Sequence, residues 1–582
     1  LSVVFGIVPL LWWIPLEWSG NIRSSLLFSA VAGVVAFCVI WSQGNNVTGR
    51  SILPKIRSID VVPVAAAGVG VLVYVQQLMV RSVDDAMSLM LMAWDNASHF
   101  NIFHMQRLHG SVLPLAGLAG DGSRWAFSDY PQSYHSALVL VSEIARKTSP
   151  QDWEADAVTY VNFTAVVNIM VVLLVVAAIC SLPGLRKNPI IGIPIATLVA
   201  SGWLFGPGAL ASMHGFPNFF FTTGLVAAAI VLFHSMQRVF DPLPLIAAGA
   251  CVAGVVQNWA LSIVFLIPCV IAVVFITKKG RWKANRGELV IAVLLVGVVA
   301  MAGLTAVGQL LTVAPDDILF AAGGVPDPDF GLLLALLLML VSASIFMQIG
   351  KGPNLPSPKR TQWSLGSVWA GTAVVVAMAA AQLIKTGSVS YYTQKFSIAL
   401  ALIALLCLGI AANGIVERTA CLGRVRTFSS SPKLLATAVV VSLAFTQVFG
   451  FAFPFKPIGL PPSSESGLEA AKQIQSKMDG SAANDNLLRA VRQSVSLEGP
   501  VMYLTTNPGD IDVILAQQWF DALRGNYSEH SWKLSLNMFP LSGGPDNLTK
   551  VVTDLRFQDP SVRIVVDPEN QAALDQILTK HQ

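Results

Sequence analysis

The sequence predicts a polytopic α-helical membrane protein that ends in a small soluble α/β domain, and three observations point there. Of 582 residues, 54% are hydrophobic and only 12% are charged, whereas an ordinary soluble domain carries about 25% charged residues. The apolar residues gather, between positions 1 and 455, into runs of roughly 18–22 residues, the length that crosses a ~30 Å hydrocarbon core. Residues 456–582 then change character, with mixed charge and short alternating apolar segments.

About thirteen spans follow, near 1–18, 24–42, 61–81, 158–182, 189–208, 217–237, 242–257, 259–277, 288–312, 331–350, 366–385, 397–416 and 433–454. Only Asn258 and its neighbours divide the seventh from the eighth. The first run, Leu1–Leu16, is too long and wrongly flanked for a secretory signal, and the chain opens on Leu1 rather than Met.

Orientation follows from Lys and Arg in the short loops. Arg50, Lys55 and Arg57 lie between spans two and three. Every second loop after that is basic, with Arg186 and Lys187, Arg238, the cluster Lys278–Arg286, then Lys351, Lys359 and Arg360, and finally Arg418, Arg424 and Arg426. These loops are expected in the cytoplasm. The intervening segments 82–157, 209–216, 313–330 and 386–396, and the C-terminal domain, are expected outside, with the chain integral to the plasma membrane.

The net charge of +4 sums two unlike parts, and no basic stripe suggests nucleic acid. The six cysteines, Cys38, Cys180, Cys251, Cys269, Cys407 and Cys421, sit in or beside apolar runs at no zinc or redox spacing. They read as small buried hydrophobes.

Loop 82–157 carries the polar residues of interest. It opens VDDAMSLMLMAWDNASHFNIFHMQRLHG, in which Asp84, Ser88, Asp95, His99, Gln106 and His109 fall within about 80° of arc on one face of a single helix. Met87, Met90, Leu91, Ala97 and Phe103 take the other side, which suits an amphipathic helix at the membrane surface. His104 and Arg107 lie off the stripe, where interfacial side chains are expected. Asp95 and His99, at i and i+4, can share a hydrogen bond, a metal or a proton. Further on, Tyr130-Pro131 reads as a turn, and Tyr134-His135 opens a second short helix. No HExxH or comparable spacing supports a metal site; a divalent cation stays open as a cofactor, with no ligands assigned.

The pieces Asp84-Asp85, Trp94-Asp95-Asn96-Ala97-Ser98-His99 and Tyr130-Pro131-Gln132-Ser133-Tyr134-His135 together resemble the GT-C superfamily of polyprenyl-phosphate-sugar glycosyltransferases. Within it, the chain is most similar to actinobacterial cell-wall arabinofuranosyl- and mannosyltransferases. The resemblance implies a GT-C-like membrane domain over 1–455 and an extracytoplasmic C-terminal domain over 456–582. It implies a decaprenyl-phosphate or other polyprenyl-phosphate sugar as donor, a cell-wall glycan as acceptor, and an outer-loop aspartate as base. Asp95 is favoured, because WDNASH and the later YPxxxH occur together in the resemblance; Asp85 and Asp84 remain alternatives.

The residues fit that chemistry. A sugar hydroxyl is a poor nucleophile and gains from a positioned carboxylate. A departing lipid phosphate gains from a nearby cation. Lys395, in the turn 386–396, is the candidate phosphate partner, with Lys385 second, and Tyr391, Tyr392, Tyr130 and His135 are candidate donor contacts. The C-terminal domain suits acceptor recognition or scaffolding, with strands expected at 499–506, 532–536 and 562–566. Two rivals stay open: a transporter or flippase of lipid-linked sugars, which predicts charges inside spans, and a non-catalytic envelope assembly protein.

Overall fold

The computed structural model describes residues 1–13, 56–91, 93–145, 152–236, 242–276, 286–311, 328–348, 358–421, 482–497, 499–506 and 511–580, plus isolated positions near 30–34, 319–325 and 436–451. The chain forms two compact units. One comprises residues 1–10, 27–74 and 166–472; the other comprises 11–26, 75–165 and 473–582.

Among the described residues, eight helices are long and apolar enough to cross a membrane. They are Trp153–Cys180, Pro189–Met213, Pro217–Met236, Leu243–Phe265, Ala292–Gln309, Phe330–Gln348, Lys359–Thr386 and Tyr391–Thr419, with two shorter apolar helices at Ser2–Trp13 and Ser58–Val73. This is fewer than the thirteen spans expected. The runs 24–42 and 433–454 lie almost wholly or largely outside the described residues. The division expected between the seventh and eighth near Asn258 falls at the end of the α-helix Pro242–Trp259, where Trp259 leaves the helical region at φ −139°, ψ 77° before a 3₁₀ stretch, Ala260–Phe265. In its last turn the Asn258 side chain donates to the Gly254 carbonyl at 2.7 Å.

Within the first unit, burial sorts the helices. Pro217–Met236 and Tyr391–Thr419 are 89% enclosed by protein, whereas Ala292–Gln309 is only 22% enclosed. Helices this apolar with so much bare side-chain surface, including Val293, Leu294, Val296 and Leu304, have lipid as their solvent. Helix Ser2–Gly6 packs against the helix at Ala250, where a Cβ on Gly6 would stand 1.8 Å from the Ala250 carbonyl oxygen.

Loops expected on the same side of the membrane meet one another. Arg186 forms a two-pronged pair with Asp60 at 2.8 and 2.7 Å, and Arg57 donates to the Arg186 carbonyl. Arg360 donates to the His234 carbonyl at 2.7 Å. At the opposite ends of the helices, Gln382 donates to the Leu319 carbonyl at 2.7 Å, and Phe216 lies edge-on to Tyr391. Each of these contacts joins segments that the alternation of basic loops places in the same group.

In the second unit we label α1 (Val83–Met90), α2 (Trp94–His109), α3 (Ser133–Ala145), α4 (Trp153–Cys180, through its first turns), α5 (Ala482–Ser494), β1 (Val501–Leu504), α6 (Val513–Arg524), α7 (Glu529–Ser535), α8 (Leu548–Gln558), β2 (Arg563–Val566) and α9 (Gln571–Lys580). Strands β1 and β2 pair in parallel, from Val501↔Arg563 to Leu504↔Val566. Met502, Leu504, Val513, Leu534, Met538, Val551, Leu555 and Leu574 form the core beside them. The strand expected at 532–536 is helical instead. Ser528 caps α7 in a reciprocal box with Ser531, and a satisfied helix start outweighs a short apolar alternation. The helix expected near 468–478 lies outside the described residues.

Candidate active site

The polar stripe does not lie on one helix. Helix α1 stops at Met90, and α2 begins at Trp94 with Ala93 as its cap. Asp84 and Asp85 stand exposed in the first turn of α1, where acidic residues complement the helix dipole. Ser82 caps that turn by accepting the Asp85 amide at 3.1 Å. Asp95 is half-buried in the first turn of α2.

Helix α2 is also not an interfacial helix. Met87, Met90, Leu91, Ala97 and Phe103, expected against the membrane surface, are all at most 5% exposed. Every residue of α2 from Asn96 to Arg107 except Ser98 is buried. Its apolar side chains meet protein: Phe100 packs on Trp519, and Phe103 on Tyr160.

One turn after Asp95, His99 meets His135 from α3. His99 Nδ1 and His135 Nε2 are 3.0 Å apart, and both rings are buried. Facing nitrogens at that distance share one proton, so one ring donates while the other accepts. Burial pushes His135 well below its ordinary range, and the His99 ring adds to the effect. Tyr130 lies edge-on to His99 at 5.8 Å and Tyr134 edge-on to His135 at 5.2 Å. Tyr134 also meets the Thr164 hydroxyl at 3.1 Å. The structure thus gathers His99, His135, Tyr130 and Tyr134 one turn from Asp95. Asp84 and Asp85 stay apart on α1, and His109 turns outward against Trp125.

The YPQSYH segment is fixed by an amide latch. Buried Gln132 accepts from Gln106 at 3.0 Å and from the Leu113 amide at 2.8 Å. Ser136 donates to Gln106 at 3.0 Å. Gln106, expected on a solvated or catalytic stripe, instead clamps α3 onto α2.

His104 and Arg107 correct the expectation of interfacial residues. Both are buried. His104 Nδ1 meets Asp156 of α4 at 2.7 Å, and Arg107 donates to Glu143 of α3 at 2.8 Å while also pairing with Asp156. Burial pushes His104 down to about 3, with the Arg107 charge adding. One sequence signal points here: Asp156 is an acid in the first turn of an apolar span, and such acids have partners.

Lys395 belongs to the first unit. It sits in the first turn of the helix Tyr391–Cys421 and is 1% exposed. Its ammonium lies over the Phe216 ring at 3.7 Å, over Tyr391 at 3.8 Å and near Trp259 at 5.7 Å, and it contacts the Tyr391 hydroxyl. Tyr392 stacks at a tilt on Trp259. Gln382 holds the turn by accepting from the Ser390 amide at 2.9 Å and the Thr393 hydroxyl at 2.8 Å. Lys385 is exposed and lies over Phe320. Among the described residues, no three His, Cys, Asp or Glu side chains come together as metal ligands.

No family model matches the chain, and no curated protein matches it in sequence. Among solved structures it is similar to arabinosyltransferase EmbB from Mycobacterium smegmatis, at 12% identity and a TM-score of 0.38. The match covers 90% of this chain and 44% of that one, so the chain spans less than half the length of this structural relative.

Proposed function

We propose that the chain is a plasma-membrane glycosyltransferase of GT-C type. In this reading it moves a sugar from a polyprenyl-phosphate donor to an envelope glycan, with inversion, on the outer face of the membrane. One observation carries the reading: a half-buried carboxylate, Asp95, stands one turn from a buried, proton-sharing His99–His135 pair ringed by Tyr130 and Tyr134. A partly exposed carboxylate backed by a buried, hydrogen-bonded histidine pair suits the base that takes a proton from a sugar hydroxyl. The sequence resemblance adds the donor class, and Lys395 with Tyr391 and Tyr392 is the group assigned to the donor phosphate. The acceptor is assigned only as a glycan.

The test is transfer by the purified full chain from polyprenyl-phosphate sugars to acceptor oligosaccharides. Asp95→Asn should lower the rate by ~10²–10⁴-fold, the usual contribution of a positioned base. Asp84→Asn and Asp85→Asn, exposed on α1, should stay within a few-fold of wild type. Transfer that survives Asp95→Asn would remove Asp95 as base, and loss with Asp85→Asn alone would move the site to α1. Movement of lipid-linked sugar across vesicles without transfer would favour a flippase.

A further inference from the structure

We infer that Trp519 and Gln518, more than four hundred residues downstream, are positioning residues for Asp95, which makes residues 473–582 an integral part of the catalytic unit. The inference rests on the proposed role of Asp95.

The argument starts at the break between α1 and α2. A helix end leaves carbonyls with no partner inside the helix, and each must find one. At the end of α1 the Met90 carbonyl accepts from the Asn96 side chain at 3.2 Å. The Leu91 carbonyl accepts from the Trp519 indole N–H at 3.1 Å, and that bond is buried. The Ala93 amide also donates to the Met90 carbonyl at 3.2 Å, so α6 supplies one of the groups that fix the break. The Trp519 ring is fully buried and packs on Phe100 of α2, with centroids 5.9 Å apart. One residue earlier, Gln518 donates to the Ser98 hydroxyl at 2.9 Å.

Helix α6 thus holds α2 at three points, the turn before it, Ser98 and Phe100, and Asp95 lies between the first and second. The hold is itself anchored. Asp512 caps α6 by accepting the Ile514 and Leu515 amides, and Gln517 ties α6 to β1 through the Tyr503 amide at 2.5 Å. The Asn484 side chain of α5 reaches the Asp84 carbonyl, so α1 is touched from the same segment. A base displaced by about 1 Å loses roughly 10²-fold in rate, so the groups that set the angle of α2 bear directly on transfer.

The test uses the full chain and Trp519→Phe, which keeps an aromatic ring against Phe100 and removes only the N–H. Trp532→Phe, at a partly exposed tryptophan on α7, is the control. Two readouts are taken together: kcat and donor KM for transfer, and hydrogen exchange of the backbone amides of residues 90–97. Trp519→Phe should lower kcat about 10-fold, leave donor KM within 2-fold, and speed exchange at 90–97, whereas Trp532→Phe should change none of these. Gln518→Ala should shift kcat the same way by a smaller factor. A folded Trp519→Phe protein with wild-type kcat and wild-type exchange would overturn the inference. Faster exchange with a raised KM and unchanged kcat would also overturn it, because Trp519 would then shape binding rather than place the base. If wild type transfers no sugar while Trp519→Phe still frees residues 90–97, the proposed function fails and the structural hold stands.

Discussion

His99 and His135 come from helices on either side of the Tyr130-Pro131 turn, yet their ring nitrogens meet at 3.0 Å with both rings buried. The pair holds one proton between two nitrogens, so it cannot become doubly charged without separating. His104, one turn and a half further along α2, is held neutral for a related reason, since burial and Arg107 oppose its charge.

A pH dependence follows. Unfolded histidine takes a proton near 6.5, whereas folded His104 resists it down to about 3. As pH falls below 6.5 the unfolded state binds the proton and the folded state does not, so stability is fully present above 6.5 and declines below it. Between pH 6.5 and 5 the loss from His104 is ~2 kcal/mol. The groups facing His104 are Asp156 of α4, Arg107 of α2 and, through Arg107, Glu143 of α3. Thermal unfolding in detergent should show Tm falling over this range, with a shallower slope in His104→Gln. Identical slopes in the two proteins would refute the assignment.

Arg107 joins α2 to α3 and α4 through Glu143 and Asp156. Replacing one partner of a buried pair leaves a charge without its counterion and costs about 3–5 kcal/mol. Arg107→Met alone should therefore destabilise the chain strongly. Arg107→Met with Asp156→Leu should recover part of that loss, because the fully buried carboxylate is then gone and only the less buried Glu143 is left without Arg107. Unfolding of the two variants side by side decides it: a double variant no better than the single would mean that packing, not charge, holds the junction.

These two clusters show how much was legible beforehand. The eight long apolar helices were legible from composition alone, because bilayer thickness acts locally along the chain. Asp95 with His99 was visible as an i, i+4 pair for the same reason. The break after Met90 was not, because no Gly or Pro marks it; it is sealed by Trp519, which adjacent sequence cannot reveal. Nor was the burial of His104 and Arg107, whose partners Glu143 and Asp156 lie on other helices. Tyr130, His99 and His135 were singled out separately, and only the fold makes them one cluster.

Lys395 yields a binding prediction. An ammonium over the Phe216 and Tyr391 rings is held by cation–π attraction, worth up to ~2 kcal/mol when desolvated. The rings fix the position at which this cation would meet an anion. If that anion is the donor phosphate, Lys395→Met should raise donor KM about 10-fold or more while acceptor KM stays level. Phe216→Leu, which removes one ring and keeps the cation, should give a smaller rise in the same constant. A Lys395→Met protein with wild-type donor KM would assign the lysine to packing alone.

Gly525 ends α6 in the left-handed region at φ 63°. A Cβ there would stand 2.6 Å from Leu108 Cδ1 and 3.2 Å from His104 Nε2, both on α2. Two costs therefore meet in Gly525→Ala: the left-handed backbone, ~1–2 kcal/mol for a residue with a Cβ, and displacement of Leu108. The first belongs to Gly525 alone and the second is shared, so a double-mutant cycle separates them. Gly525→Ala should lose ~2 kcal/mol in unfolding experiments. Leu108→Ala should cost less in the Gly525→Ala background than in wild type, because the shortened side chain clears the new methyl. Strict additivity would show that Leu108 swings aside freely, leaving backbone conformation as the whole reason for glycine at 525.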